Sequence, residues 1–180
     1  MDKLRILFND IVLGLLVLVW VAWNIYLIFG IGGIRDIQIV SEGRFIPDLS
    51  LSYNMDRLML LMQDFGAQGK LFYLKYQFRD FLYPFIYGSL LMGILVRLIH
   101  PKTFNIWIFI PWFAVAFDFI ENYYLRVCFY DFPNLEASKV SMASWATSLK
   151  WGFIAFSFIL IFIAFIRRRK KYDADRAVNK

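Results

Sequence analysis

The sequence predicts an all-α membrane protein: a four-transmembrane-helix bundle with an extracytoplasmic cap of short strands and amphipathic helices between helices 1 and 2. Three observations lead there. Hydrophobic residues make up 60% of the 180-residue chain and aromatic residues 20%, with a mean hydropathy of +0.55, more apolar than an ordinary soluble domain. The apolar residues gather into four runs long enough to cross a bilayer, over about residues 6–30, 80–99, 104–125 and 141–166. Basic residues flank these runs with a bias to one side.

Charge placement argues against a nucleic-acid partner. The formal net charge is +6, but Arg167, Arg168, Arg169, Lys170 and Lys171 form one block directly after the last apolar run, where a lipid-headgroup anchor belongs. No soluble segment remains to carry a basic interface. Cys128 is the only cysteine, which rules out an intrachain disulfide and a thiol relay within the chain, and it reads as a packed or interfacial thiol. His100 is the only histidine and lies in a basic turn from Arg97 to Lys102. No spacing of His, Cys and carboxylate resembles a zinc site, and the chain has no Gly-rich phosphate loop, so neither a metal nor a cofactor is expected.

The first run follows Lys3 and Arg5 and reaches Trp23, Tyr26 and Phe29 before Gly30. It is longer than the core of a signal peptide and lacks a small-residue cleavage site, so it reads as a retained span. Asn24, about a turn and a half from its end, is the polar residue that needs a partner. Gly30, Gly32 and Gly33 stop the helix. Asp36-Ile37-Gln38-Ile39-Val40 then alternates as a short strand does, and residues 45–53 form a second extended piece interrupted by Pro47. Asn54 is placed to cap a helix over residues 55–65 that turns Leu58, Leu61, Met62 and Phe65 inward. Gly66 and Gly69 punctuate it, and residues 70–78 form a second amphipathic stretch displaying Leu71, Phe72, Leu74, Tyr76 and Phe78. Residues 31–79 are too apolar for a free loop and are expected to cap the bundle or lie on the membrane surface.

Asp80 opens the second run, in which Pro84 suits a helix start, or marks a kink if the helix continues from Lys70. Asp80, Tyr83 and Tyr87 follow one face. The third run holds Asp118, Glu121 and Asn122, and the fourth is entered through Ser144, Thr147, Ser148 and Lys150. Residues 172–180 form a polar cytoplasmic tail. With four spans, Lys3 and Arg5, the turn after Arg97 and the Arg167 block share one side, which makes both termini cytoplasmic. The expected location is a bacterial inner membrane.

The run carrying Asp118, Glu121 and Asn122 organises the rest. A charge at mid-bilayer costs about 2.5–3.5 kcal/mol on insertion scales, so this face should turn toward partners, and Lys150 is the expected one. Counting inward from the outer helix ends puts Asn24, Asp118, Glu121 and Lys150 at about the same depth, with Arg79 and Asp80 at that level. Two readings stay open. One is a clamp between the last two helices, oriented by Asn122 and Thr147. The other is a pocket open to the outer leaflet, with Asp118 as proton acceptor, Glu121 as its partner and Lys150 as electrostatic anchor. Asn24, Asp80, Tyr83, Tyr87, Asn122 and Thr147 would then meet a lipid, isoprenoid or sterol-like ligand.

Several short patterns, Pro47-Asp48 then Tyr53; Gly66-x-x-Gly69 then Tyr73-Leu74; Asp80, Pro84 and Tyr87; Asp118-x-x-Glu121-Asn122; and Ser144-x-x-Thr147-x-x-Lys150-Trp151, run from Pro47 to Trp151. In these the chain resembles small four-span, mostly bacterial membrane proteins of unknown function. The resemblance implies a common fold and points to the same residues without supplying an activity. Claudin-like proteins are similar in topology alone, since their outer-loop Trp and paired cysteines have no counterpart here. Emopamil-binding-like sterol isomerases are similar in size and in placing acids beside aromatics within the membrane. The leading expectation is a scaffold or accessory protein whose cap and polar layer contact membrane lipids, another membrane protein or a second copy of the chain. A small membrane enzyme or receptor for a lipid-like ligand comes next, and ion or proton translocation third.

Overall fold

The computed structural model describes residues 2–43, 46–99 and 106–178. Among these, four helical stretches are long and apolar enough to cross a membrane: Asp10–Val40, Met55–Leu98, Ile106–Asp131 and Ala137–Lys170. That is the fold class expected of a multi-pass membrane protein. His100 and Phe45 lie outside the described residues.

A short helix, α1 (Asp2–Leu7), precedes the first long one, α2 (Asp10–Phe29). The first span therefore starts at Asp10 instead of residue 6. Asn9 sits between the two helices in extended conformation, and its side chain accepts a 2.9 Å bond from the Val12 N–H, satisfying one of the open donors of α2. Phe8, at the break, turns inward onto Met92, Leu95, Val96 and Ile108. The surface of α2 is apolar nearly all round, and Leu27 is its one buried residue. A helix of that kind is matched to hydrocarbon, where exposed aliphatic side chains carry no penalty.

The cap is helical, and the two expected strands are corrected. Residues 34–40 form α3 (Ile34–Val40), and Pro47–Leu49 is a 3-10 turn; no strand occurs among the described residues. The alternation of Ile37 and Ile39 misled because Ile39 is 66% exposed, whereas Ile34, Ile37 and Ser41 point inward at helical spacing. Asp36 settles the choice locally by accepting a 2.6 Å bond from the Gly32 N–H at the start of α3.

Next comes α4 (Met55–Asp80), capped as expected by Asn54, whose side chain accepts from the Arg57 N–H at 2.9 Å. Gly66 breaks it with φ +55, a conformation in which a side chain is strained. Leu58, Met62 and Phe65 face inward before the break, and Gly69, Tyr73, Tyr76, Gln77 and Asp80 after it. Leu71 and Phe78, expected on the displayed apolar face, point away from this core. After a two-residue step, α5 (Tyr83–Leu98) begins with Pro84 in its first turn, where the missing N–H costs nothing. A 3-10 turn, Ile106–Phe109, leads into α6 (Ile110–Asp131), and α7 (Ala137–Val178) closes the chain. Helices α5 and α6 approach so closely that a Cβ on Gly88 would collide with Val115.

The interior has three apolar layers. The cap layer joins Leu27, Ile37, Phe65, Tyr73, Leu125 and Phe129; the middle layer centres on Tyr87, Leu91, Ala114 and Val115; the far layer is the Phe8 cluster. At the far end Arg5 donates to the carbonyls of Val96, Arg97 and Ile99, Arg168 also reaches the Arg97 carbonyl, and Arg97 pairs with Asp10. The basic residues of α1, α5 and α7 therefore share the end of the bundle opposite the cap.

Candidate functional site

Between the cap layer and the middle layer lies a buried polar cluster. Asp118, Glu121 and Asn122 occupy the inward face of α6, with 3%, 0% and 7% exposure. Lys150, on the facing side of α7, is 5% exposed and closes on both acids. Its ammonium contacts Glu121 Oε2 directly and lies 3.7 Å from Asp118 Oδ1. The same ammonium donates at 3.3 Å to the backbone carbonyl of Asp48, which belongs to the cap. One cation thus ties α6, α7 and the cap at a single point.

Each acid is held from a second side. Thr147 Oγ1 donates to Glu121 Oε1 at 2.7 Å and lies 3.3 Å from the Tyr53 hydroxyl. The Tyr87 hydroxyl donates to Asp118 Oδ2 at 3.0 Å. Asn122 Nδ2 bridges two carboxylates, donating at 3.1 Å to Asp118 Oδ1 and at 3.1 Å to Asp80 Oδ2. Asp80 is at the last position of α4, and the Tyr76 hydroxyl reaches it from one turn before. Gln77 donates to the Asn122 carbonyl from the same helix face. Six of the residues expected from sequence, Asp80, Tyr87, Asp118, Glu121, Asn122 and Thr147, therefore meet around Lys150.

Asn24 and Tyr83 stand slightly apart. The Tyr83 hydroxyl donates to Asn24 Oδ1 at 3.2 Å and accepts from the Trp20 indole at 3.2 Å, while Asn24 Nδ2 returns to the Trp20 carbonyl. This closed group on α2 and α5 touches the cluster through the edge-to-face contact of Tyr83 with Tyr87, centroids 5.4 Å apart. Arg79, placed by depth in the polar layer, is elsewhere: its guanidinium bonds the Ile31 carbonyl and covers the Tyr26 ring at 5.0 Å, fastening α4 to the end of α2.

Asp48 and Tyr73 are the site residues that depth counting missed. Asp48 is 3% exposed, and its Oδ2 accepts a 2.6 Å bond from the Tyr73 hydroxyl. Burial pushes this carboxyl above its ordinary value of 3.8, while the Lys150 charge and the Tyr73 hydroxyl pull the other way. Burial also raises the Tyr53 phenol, with the Glu121 charge adding to it. The segment around Asp48 is laid along α7: the Tyr53 N–H donates to Ser144 Oγ at 3.0 Å, and Ser148 Oγ donates to the Leu51 carbonyl at 2.8 Å. The polar face of α7, from Ser144 to Lys150, is thus the landing strip of the cap. Its signal in the sequence was the run of hydroxyls at helical spacing; what they bind was not legible there.

Chemically, the cluster combines one ammonium with the carboxyls of Asp48, Asp80, Asp118 and Glu121, all buried. Water-free surroundings penalise any carboxylate without a cation or donors. Among the described residues no three His, Cys, Asp or Glu converge in a way that holds a metal ion. Set against models of protein families, curated proteins and solved structures, the chain matches none.

Proposed function

We propose that the chain is an integral membrane scaffold or accessory protein, in which the Lys150 cluster locks the cap onto the bundle and the cap meets a partner protein, a second copy or a lipid. The observation that carries this reading is the enclosure of the Lys150 ammonium, which bonds the acids of α6 and the cap backbone at Asp48 at once. A membrane span needs no ion pair to pack, and an apolar contact of the same volume is often at least as stable. What a buried cation with several fixed partners supplies is one cap position out of the many that apolar packing tolerates, and a docking platform requires that. By the positive-inside rule, the convergence of Arg5, Arg97 and Arg168 at the far end favours cytoplasmic termini and an outward cap, and the membrane proposed for it is a bacterial inner membrane. Cross-linking in membranes followed by native mass spectrometry of the detergent-purified protein tests it. A stoichiometric second chain, with cross-links confined to cap residues, is the expected result; a lone chain with no cap cross-links overturns the scaffold.

A second reading rests on the acid excess. With Asp48, Asp80, Asp118 and Glu121 around one ammonium, at least one carboxyl is best placed as a proton carrier, and separated acid and base roles are the usual use of such a pair. On this reading Asp118 accepts a proton from a lipid, isoprenoid or sterol-like ligand, with Glu121 and Lys150 beside it. Replacing Asp118 by Asn then abolishes turnover of a lipid substrate while the protein stays in the membrane; loss from the membrane favours the lock. Translocation has the least support: toward the basic end the buried residues beyond Tyr87 are mostly apolar, Leu91, Met92, Leu95, Val96, Ala114 and Val115 among them, and the one buried polar side chain there among the described residues, Ser157, donates back to the Phe153 carbonyl of its own helix at 2.8 Å.

A further inference from the structure

At the break in α4 the cap opens a cleft of about 360 Å³, floored by Met62 and Phe129 and walled by Gly66, Ala67 and Phe132, with Gln63 and Lys70 as its polar groups. That volume is within the range of small-molecule sites, and the composition, apolar with few polar groups, is theirs too. We infer that this cleft binds an anionic phospholipid, one acyl chain lying between Ala67 and Phe132 above the buried Phe129 ring and the phosphate on the Lys70 ammonium. The inference deepens the scaffold reading by naming a lipid and a place for it, and relies on that reading for the membrane setting.

Position and charge select this occupant. The cleft lies beside the last turn of α6 and the connection to α7, where a span leaves the hydrocarbon and lipid headgroups begin. Lys70 has no ion pair or hydrogen bond among the described residues, unlike Lys139, which is held by Asp131 and Glu136, or Lys150. No carboxylate lines the cleft among the described residues, so a headgroup with a single negative charge is complemented, while the ammonium of a zwitterionic headgroup finds no counter-charge. Gly66, at the break, borders open space: a Cβ there would meet nothing within 4 Å.

The floor of the cleft is connected to the polar cluster. Phe129 stacks on Tyr73 with centroids 4.1 Å apart and an interplanar angle of 22°, and the Tyr73 hydroxyl is the donor to Asp48. A chain seated in the cleft closes over the edge of the Phe129 ring and so braces the stack that orders Asp48; lipid binding should therefore stabilise the cap by mass action.

The test uses full-length protein, delipidated in detergent and titrated with phosphatidylglycerol or phosphatidylcholine, read by native mass spectrometry and by thermal unfolding. Wild type should bind phosphatidylglycerol about five- to tenfold more tightly than phosphatidylcholine, one lysine's worth of attraction, and its midpoint should rise with the anionic lipid. Lys70→Gln should erase the preference and keep weak binding of both lipids. Ala67→Phe, which fills the cleft and keeps the charge, should lose both. Equal binding of the two lipids by wild type, an unchanged preference in Lys70→Gln, or undiminished binding in Ala67→Phe overturns the inference; preferential binding of a free fatty acid over the phospholipid also does. A second chain held by cap cross-links in Lys70→Gln would leave the scaffold reading standing while this site fails.

Discussion

At the cap end of the bundle a single ammonium, Lys150, is enclosed by Glu121, Asp118 and the Asp48 carbonyl; at the other end Arg5, Arg97 and Arg168 remain at least partly exposed, Arg5 and Arg168 sharing the carbonyls that finish α5 and Arg97 pairing with Asp10. Both arrangements put positive charge against oxygen beside hydrocarbon, but the local dielectric differs. At the basic end water and lipid headgroups screen the charges, and open helix-terminal carbonyls accept them at little cost. Inside the cluster the same charge has been stripped of water, so each missing partner is expensive and geometry is tightly specified. The buried end is accordingly where position is decided, and the exposed end is where, on the proposed reading, orientation in the bilayer is.

The largest way to break this contrast is Lys150→Met. It leaves Glu121 and Asp118 buried without a cation, for which about 3–5 kcal/mol is the usual loss, limited by proton uptake on the acids. Unfolding in mixed detergent should show that loss, and Glu121→Gln added to Lys150→Met should restore a large part of it. If the single variant unfolds like wild type, the cluster is not a lock. Tyr73→Phe comes next: it strips the 2.6 Å donor from Asp48 while keeping the ring on Phe129, a loss of about 1–3 kcal/mol for an orphaned buried acceptor. Hydrogen exchange should rise across residues 46–53 and stay unchanged in α2.

How much of this was readable beforehand divides along the same line. Four helices long and apolar enough to cross a membrane, the Asn54 cap and the Pro84 start follow from local rules, length, an N-cap side chain and a missing N–H, and the structure has them. The meeting of Asp118 and Glu121 with Lys150 was legible because a bilayer leaves buried charge few choices. Asp48 was singled out only as part of a short pattern, and its place beside Lys150 was not legible, because that depends on Ser144, Thr147 and Ser148 drawing an irregular segment along α7, a long-range contact that no local pattern encodes. The strand reading of residues 36–40 failed for a related reason: Ile37 and Ile39 fit either period, and packing on Phe65 and Leu27 chose the helix.

Acidity gives a smaller and sharper probe of the cap. Burial, the dominant effect, raises the Asp48 carboxyl above 3.8, so the folded cap holds a proton that the unfolded chain releases earlier. The stability contributed by this group is complete below 3.8 and is lost as pH rises through its raised folded value. Thermal midpoints measured in detergent from about pH 4 to about pH 7 should therefore fall with rising pH in wild type. Asp48→Asn keeps an acceptor for Tyr73 and removes the titration, and should flatten that slope. An identical slope in the variant assigns the effect to Asp80 or the α6 acids instead.

The basic end should respond least. Arg5→Gln removes charge-assisted bonds to the Val96, Arg97 and Ile99 carbonyls at the partly exposed end of α5, and about 1 kcal/mol is the expected loss. Arg168→Gln removes a single 3.2 Å bond from an exposed side chain to a carbonyl that Arg5 already occupies, so unfolding should change by no more than about 0.5 kcal/mol. The informative readout for that variant is salt: because its charge is screened by solvent, any difference from wild type should vanish at about 1 M ionic strength, whereas the Lys150→Met loss should persist there. A salt-insensitive Arg168 effect would mean that the far end is as dry as the cluster, and the contrast between the two ends would collapse.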